Sequence, residues 1–236
     1  MKKEEKIRAE EYDYPRYEFA EDPAAPAKVF WKGRETPVWI QQRWTEGAFS
    51  KFIQENGCGH CCVAMAARLH GVDIDPHREF ELCRALWGEP DLQRQYGYLT
   101  VAGVSKILNH LGIPALAKDT ARQGTEKAAQ DICAALREGK QAIMISVAKR
   151  YPGNPFSPGA HYILAVGYTE DGRILIANST IRAKEIAIQF ADPEMIERAL
   201  PVNGGANPLL TWGEPAIQPE CFGYVIVGEG NEACSR

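Results

Sequence analysis

The sequence predicts an α+β domain in which helices come first and an antiparallel sheet follows. Between residues 58 and 139, apolar residues recur at helical spacing in segments that begin after capping residues and end at glycines. From residue 141 onward, the chain changes to short runs rich in β-branched and aromatic residues. Residues 160–179, AHYILAVGYTEDGRILIANS, form two such runs around a turn, which predicts an antiparallel hairpin. Helices followed by strands are typical of the α+β class.

The N-terminal part is predicted to be a charged arm followed by short strands. Residues 1–27 carry many charged side chains and end in EDPAAPA, as in an extended or poorly ordered terminus. We therefore expect an N-terminal arm at residues 1–27 and a single domain at residues 28–236. The run KVFWKGRETPVWIQQRW has aromatic and β-branched residues near a glycine and a proline, which favours short strands or a packed turn.

Four helices are predicted from their start and stop signals. The first follows Gly57 and ends at Gly71. The other three are PHREFELCRALW, VAGVSKILNHLG and EKAAQDICAALREG, which follow the capping residues Asp75, Thr100 and Thr125. Three further segments follow: a strand at QAIMISVA, a short helix after Asp192 at PEMIERAL, and a last strand at FGYVIVGEG.

Charge and hydropathy exclude several classes of function. The net charge is −4 and the pI is about 5.8, so we expect no binding of nucleic acid. No run of about eighteen apolar residues is present, and the first thirty residues lack the apolar core of a signal peptide. We therefore expect a cytoplasmic protein that does not associate with a membrane.

The seven cysteines do not form a recognisable disulfide or zinc pattern. Their number is odd and two of them are adjacent, so we expect reduced thiols. Apart from Cys58 and Cys61, the sequence has no second C-x-x-C pair and no H-x₃-H pair to complete a zinc site. We therefore expect no metal and no organic cofactor.

Cys58 is the cysteine whose position favours reactivity. It follows the turn pair Asn56-Gly57 and begins a predicted helix, where unpaired backbone N–H groups and the helix dipole favour a thiolate. Such positions lower a cysteine pKa from about 8.5 to roughly 3.5–7.5. The other cysteines within helical segments are predicted to be small buried residues: Cys61, Cys62, Cys83 and Cys133.

A nucleophilic cysteine needs a base, and the base needs a group that orients it. His161 begins a predicted buried strand, where its imidazole is well placed to face a cleft; the alternative is an ordinary, partly buried histidine. The return strand of the hairpin ends at Asn178, and antiparallel pairing brings the end of one strand beside the start of the other. We therefore expect Asn178 to lie next to His161. The alternative is that Asn178 simply belongs to a polar strand end with turn chemistry.

In this order, the motifs resemble those of the C39-like cysteine peptidases, a branch of the papain-like superfamily. The matching segments are NGCGHCCVAMAARLHG, LREGKQAIMISV, GAHYILAVGY and GRILIANS, which together cover roughly residues 50–180. The resemblance implies a papain-like fold, with the nucleophile at a helix start packed on an antiparallel sheet that carries histidine and asparagine. It also implies hydrolysis of peptide or amide bonds in a peptide or protein substrate.

Carried over to this chain, the resemblance makes Cys58 the nucleophile, His161 the general base and acid, and Asn178 the orienting amide. The family more usually has aspartate in an NDP context where this chain reads ANST. Papain-like enzymes also place a glutamine six positions before the cysteine, but that position is Phe52. Gln54 is therefore our candidate for the oxyanion hole, with Gln41 and Gln42 as alternatives.

Three other functions stay open. A papain-like acyltransferase or transglutaminase would use the same residue order, and an inactive peptide-binding module would keep the fold. A CGHC thiol–disulfide oxidoreductase requires a βαβ unit before the motif, whereas SKFIQENG precedes it here. The spacing of Cys58 and Cys61 also leads to the hypothesis of a reversible disulfide between them that blocks the nucleophile.

Overall fold

The computed structural model describes residues 16–18, 27–31, 34–39, 47–87, 100–146, 154–157, 161–169, 171–180, 188–201 and 223–229. Its helices are α1 Ser50–Asn56, α2 Cys58–Leu69, α3 Pro76–Trp87, α4 Val101–His110, α5 Thr120–Gln123, α6 Thr125–Arg137 and α7 Pro193–Ala199. Its strands are β1 Arg16–Glu18, β2 Ala27–Trp31, β3 Arg34–Val38, β4 Ala115–Asp119, β5 Gln141–Ser146, β6 His161–Tyr168, β7 Ile174–Asn178, β8 Ile188–Ala191 and β9 Gly223–Val227.

The strands form two sheets. A three-stranded sheet has the order β1-β2-β3, and a six-stranded sheet has the order β4-β9-β5-β6-β7-β8. Every strand pairing described in the two sheets is antiparallel. The predicted α+β class with an antiparallel sheet is confirmed. The arm at residues 1–27 stays a prediction, although residues 16–18 within it form β1.

Helices cover both faces of the six-stranded sheet, and β6 contributes side chains to both cores. Tyr162 and Leu164 belong to the core beneath α2, whereas Ile163 and Ala165 belong to the core beneath α6. Alternate residues of a strand point to opposite faces, so this run of apolar residues is buried on both sides. The prediction that the strand beginning at His161 is buried is therefore correct.

The capping residues and the glycines at helix ends predicted most helix ends to within a residue. Thr100 Oγ1 accepts from the N–H of Gly103 at 2.9 Å, and Asp75 Oδ1 accepts from the N–H of Arg78 at 2.8 Å, as in N-caps. The prediction that Thr125 caps α6 is wrong, because Gly124 is the capping residue and Thr125 is already helical. The sequence analysis also missed α1, α5, β4 and β8, which are short or carry weak periodicity.

Replacing Leu164 by alanine should destabilise the fold strongly. Leu164 is fully buried in the middle of the sheet, so the change removes apolar contacts and leaves a cavity. We expect a loss of about 2–5 kcal/mol in the free energy of unfolding, measured by urea denaturation. Leu69→Ala, at the half-buried end of α2, is the control. A loss for Leu164→Ala no larger than that of the control would contradict the assigned position of β6.

Candidate active site

Cys58 is the first residue of α2 and follows the glycine that separates α1 from α2. The N–H of Gly57 donates to the carbonyl of Ile53 at 2.8 Å and ends α1. A Cβ atom at position 57 would overlap this carbonyl oxygen. The tight end of α1 therefore requires glycine immediately before Cys58.

The thiol of Cys58 lies against the start of β6. Burial raises its pKa above the ordinary cysteine value, and hydrogen bonds from the backbone N–H groups of Tyr162, Gly59 and Cys58 itself offset this only in part. The expectation that the helix start would lower the pKa is wrong in net direction. The helix supplies the predicted N–H donors, but the removal of water from the thiol outweighs them. Tyr162 directly follows His161 in the chain, so this contact brings Cys58 to the strand that carries the histidine.

His161 and Asn178 are joined by a buried hydrogen bond, with 2.8 Å between His161 Nε2 and Asn178 Oδ1. The backbone fixes the orientation of the Asn178 amide: Nδ2 donates to the carbonyl of Phe156 at 2.7 Å, and Oδ1 accepts from the N–H of Thr180 at 3.2 Å. Because Oδ1 can only accept, His161 Nε2 carries the proton. Asn178 thus selects one tautomer of the His161 ring.

An extra residue in β6 places these two side chains on the same face of the sheet. Tyr168 pairs with Ile174, but beyond the irregularity between Ala165 and Gly167 the register shifts by one, so that Ile163 pairs with Asn178. Without Val166 as the extra residue, Asn178 would stand opposite Leu164, on the other face from His161. The sequence analysis did not predict this bulge, for which the glycine inside the strand was the available signal.

A short loop fastens this corner to the neighbouring strand β5. Asn154 Nδ2 donates to Ser146 Oγ at 2.6 Å, and Asn154 Oδ1 accepts from the N–H of Phe156 at 2.9 Å. Ser146 in turn pairs with His161 across β5 and β6. Phe156, whose carbonyl accepts from Asn178, is therefore itself held through its N–H by Asn154, which bonds to β5.

The other residues singled out by sequence have separate positions. Gln54 lies half-buried on α1, four residues before Cys58, whereas Gln41, Gln42, Cys221 and Cys234 are outside the described residues. The prediction that the four helical cysteines are buried is confirmed. Cys58 and Cys61 are free thiols, and the disulfide between them stays a hypothesis.

Glu79 is a buried charged residue that the sequence analysis did not single out. It lies on α3, is 1% exposed and contacts His60 Nδ1. Cys83, one turn later on α3, donates its thiol proton to Glu79 Oε1 at 3.1 Å. The available signal was the position of Glu79 next to Phe80, on the apolar side of α3 and four residues before a cysteine.

Comparison with known proteins places the chain in a family. The model of the Peptidase_C39 like family matches residues 37–195 of the 236. The chain belongs to this family. The match spans α2, β6 and β7, which hold Cys58, His161 and Asn178 respectively.

One solved structure similar to this family member is that of a proposed C39-like peptidase from Bacillus anthracis. The two chains share 13% sequence identity, with 73% of this chain and 88% of that chain covered and a TM-score of 0.43. No curated protein matches the chain in sequence. Among the described helices, none has the length and apolar character needed to cross a membrane.

Replacing Asn178 by alanine should lower stability even before function is considered. The change leaves the carbonyl of Phe156, the N–H of Thr180 and the Nε2–H of His161 without this partner in a buried site. We expect a loss of about 1–3 kcal/mol in the free energy of unfolding, measured by urea denaturation. Asn178→Asp keeps the acceptor for His161 but turns an oxygen toward the Phe156 carbonyl, so it should also destabilise. Wild-type stability in both variants would refute the hydrogen bonding described for Asn178.

Proposed function

We propose that this member of the Peptidase_C39 like family is a cysteine peptidase that uses Cys58, His161 and Asn178. The observation that carries the proposal is the buried hydrogen bond between His161 and Asn178. The residue after His161 on β6 is Tyr162, whose backbone N–H donates to the Cys58 thiol. A thiol, an imidazole in one tautomer and an amide that orients it are the parts of a papain-like site. The substrate is a peptide or protein.

The reaction begins with proton transfer from the Cys58 thiol to His161. Because Asn178 holds the ring proton on Nε2, Nδ1 is the nitrogen that accepts the thiol proton. The thiolate attacks the carbonyl carbon of the scissile bond, and the imidazolium then protonates the departing amine. Water, deprotonated by His161, hydrolyses the thioester, which releases the acid and restores the thiol.

Burial of the Cys58 thiol favours its protonated form. Since burial raises the Cys58 pKa, the thiol keeps its proton until His161 can take it. An asparagine orients the ring but stabilises the imidazolium less than a carboxylate would. Both features favour a thiol and a neutral imidazole over a preformed ion pair when no substrate is bound.

Alkylation with iodoacetamide across pH tests the pairing of Cys58 with His161. In the wild type, the pH midpoint of Cys58 alkylation should depend on proton transfer from the thiol to His161. In His161→Ala, the midpoint should move upward, above the ordinary thiol range, because burial disfavours the thiolate. Peptide mass spectrometry identifies the modified cysteine.

The matched control is His110→Ala, which removes an exposed histidine at the end of α4 and should leave the profile unchanged. Identical profiles in wild type and His161→Ala would remove the histidine from the mechanism.

A peptide-library screen then measures turnover, which should fall on the order of 10⁴-fold or more in Cys58→Ala. Addition of an amine acceptor separates the products, because a transferase gives an amide where a peptidase gives an acid.

Gln54 is proposed to stabilise the oxyanion together with the backbone N–H of Cys58. The Gln54→Ala variant should lower kcat by about 10²–10³-fold with a smaller effect on KM, since the donor acts on charge that develops in the transition state. Gln130→Ala, on the exposed face of α6, is the control. If kcat is unchanged in Gln54→Ala, the oxyanion donor must be another group.

A further inference from the structure

Three metal-ligating side chains of different chemistry converge between α2 and α3, apart from the proposed catalytic residues. They are His60, Glu79 and Cys83, and each is 1% exposed. Their donor atoms, an imidazole nitrogen, a carboxylate oxygen and a thiol sulfur, all lie within 4.8 Å of one another. Glu79 and Cys83 are four residues apart on α3 and therefore occupy the same helical face.

The surroundings of this cluster are apolar. The edge of the His60 ring meets Phe80, with 5.0 Å between the ring centroids and an angle of 84° between the planes. Phe52 lies on a further side, with its centroid 6.0 Å from that of His60. A carboxylate buried among such groups costs free energy unless a cation compensates its charge.

In the metal-free cluster, the contact between His60 and Glu79 does not satisfy both side chains. His60 Nδ1 contacts Glu79, while His60 Nε2 is buried without a hydrogen-bond partner within the described part of the chain. An ionised Glu79 beside a neutral His60 lacks a compensating charge, and this is the cost that a cation bound at Nδ1 would remove. His60 Nε2 has no partner among the described residues with or without the metal, so it does not distinguish the two states.

We propose that His60, Glu79 and Cys83 form a structural site for one zinc-like divalent cation. A cation of charge +2 balances the Glu79 carboxylate and a Cys83 thiolate, while His60 binds as neutral imidazole through Nδ1. Binding releases the Cys83 thiol proton to solvent, and a water molecule completes the four ligands. Mixed nitrogen, oxygen and sulfur donors suit Zn²⁺, whereas Mg²⁺ and Ca²⁺ prefer oxygen alone.

One pair of the ligand atoms already has nearly the spacing that a cation requires. With Zn²⁺ bonds of about 2.0–2.3 Å, tetrahedral ligand atoms stand roughly 3.3–3.7 Å apart. The Cys83 sulfur and Glu79 Oε1 are already 3.1 Å apart. His60 belongs to the first turn of α2, two residues after Cys58, so the cation would join the start of α2 to α3. The sequence analysis did not suggest this site because it looked for two closely spaced pairs of cysteine or histidine ligands. The site proposed here has a single cysteine.

Cobalt titration of the full chain tests the site without relying on activity. The protein is the Cys58→Ala variant, which removes the proposed nucleophile as a competing thiol, and it is first stripped of metal with a chelator. We expect one Co²⁺ per chain, with visible bands of a four-coordinate ion and a near-ultraviolet band from thiolate to cobalt. Zn²⁺ should displace the Co²⁺ and raise the melting temperature.

Ligand variants locate the metal. In this background, Cys83→Ala should abolish the thiolate band and Glu79→Gln should abolish or greatly weaken Co²⁺ binding, while Cys133→Ala, which alters a buried cysteine of α6, should retain both. Circular dichroism establishes that Glu79→Gln, of nearly unchanged size, is folded. The proposal is overturned if the folded chain takes up no Co²⁺ or Zn²⁺ at micromolar concentration, or if the thiolate band survives in Cys83→Ala. Neither result bears on Cys58 and His161, so the proposed peptidase activity stands or falls separately.

Discussion

The register between β6 and β7 is the constraint on which the candidate site depends. Side chains alternate along a strand, so a shift of one residue exchanges the two faces of the sheet. Val166, the extra residue in β6, absorbs this shift and keeps the apolar residues of both strands in matching cores. The same shift brings Asn178 to the face that His161 occupies, so core packing and the His161–Asn178 bond are determined together.

Burial acts in two opposed ways at the start of α2. The helix terminus supplies backbone N–H groups that stabilise negative charge on the Cys58 sulfur, but packing against β6 removes water, and the net pKa is raised. In the proposed mechanism, reactivity therefore depends on proton transfer to His161 rather than on the helix alone. In that mechanism, the Asn178 amide acts on the thiol through the orientation of the His161 ring.

The interface between α2, which begins at Cys58, and α3 contains two ionisable side chains among apolar ones. His60 and Glu79 meet between α2 and α3, and the removal of one partner from such a pair leaves an uncompensated buried charge. His60 lies two residues after Cys58, so its contact with Glu79 links the packing of α3 to the first turn of α2. A cation bound there would strengthen this link without contacting the reacting atoms.

Local signals in the sequence determined the order of the main helices and strands, the start of α2 at Cys58, and the hairpin that ends at Asn178. Capping residues, glycines at helix ends and apolar periodicity act within a few residues, so they can be interpreted from one chain. The His161–Asn178 contact was foreseeable because a hairpin is also local, although the bulge that aligns the two side chains was not. Only the tertiary structure decided the raised pKa of Cys58 and the convergence of His60, Glu79 and Cys83. Desolvation and contacts between helices depend on which distant segments pack together, and no short stretch of sequence specifies that.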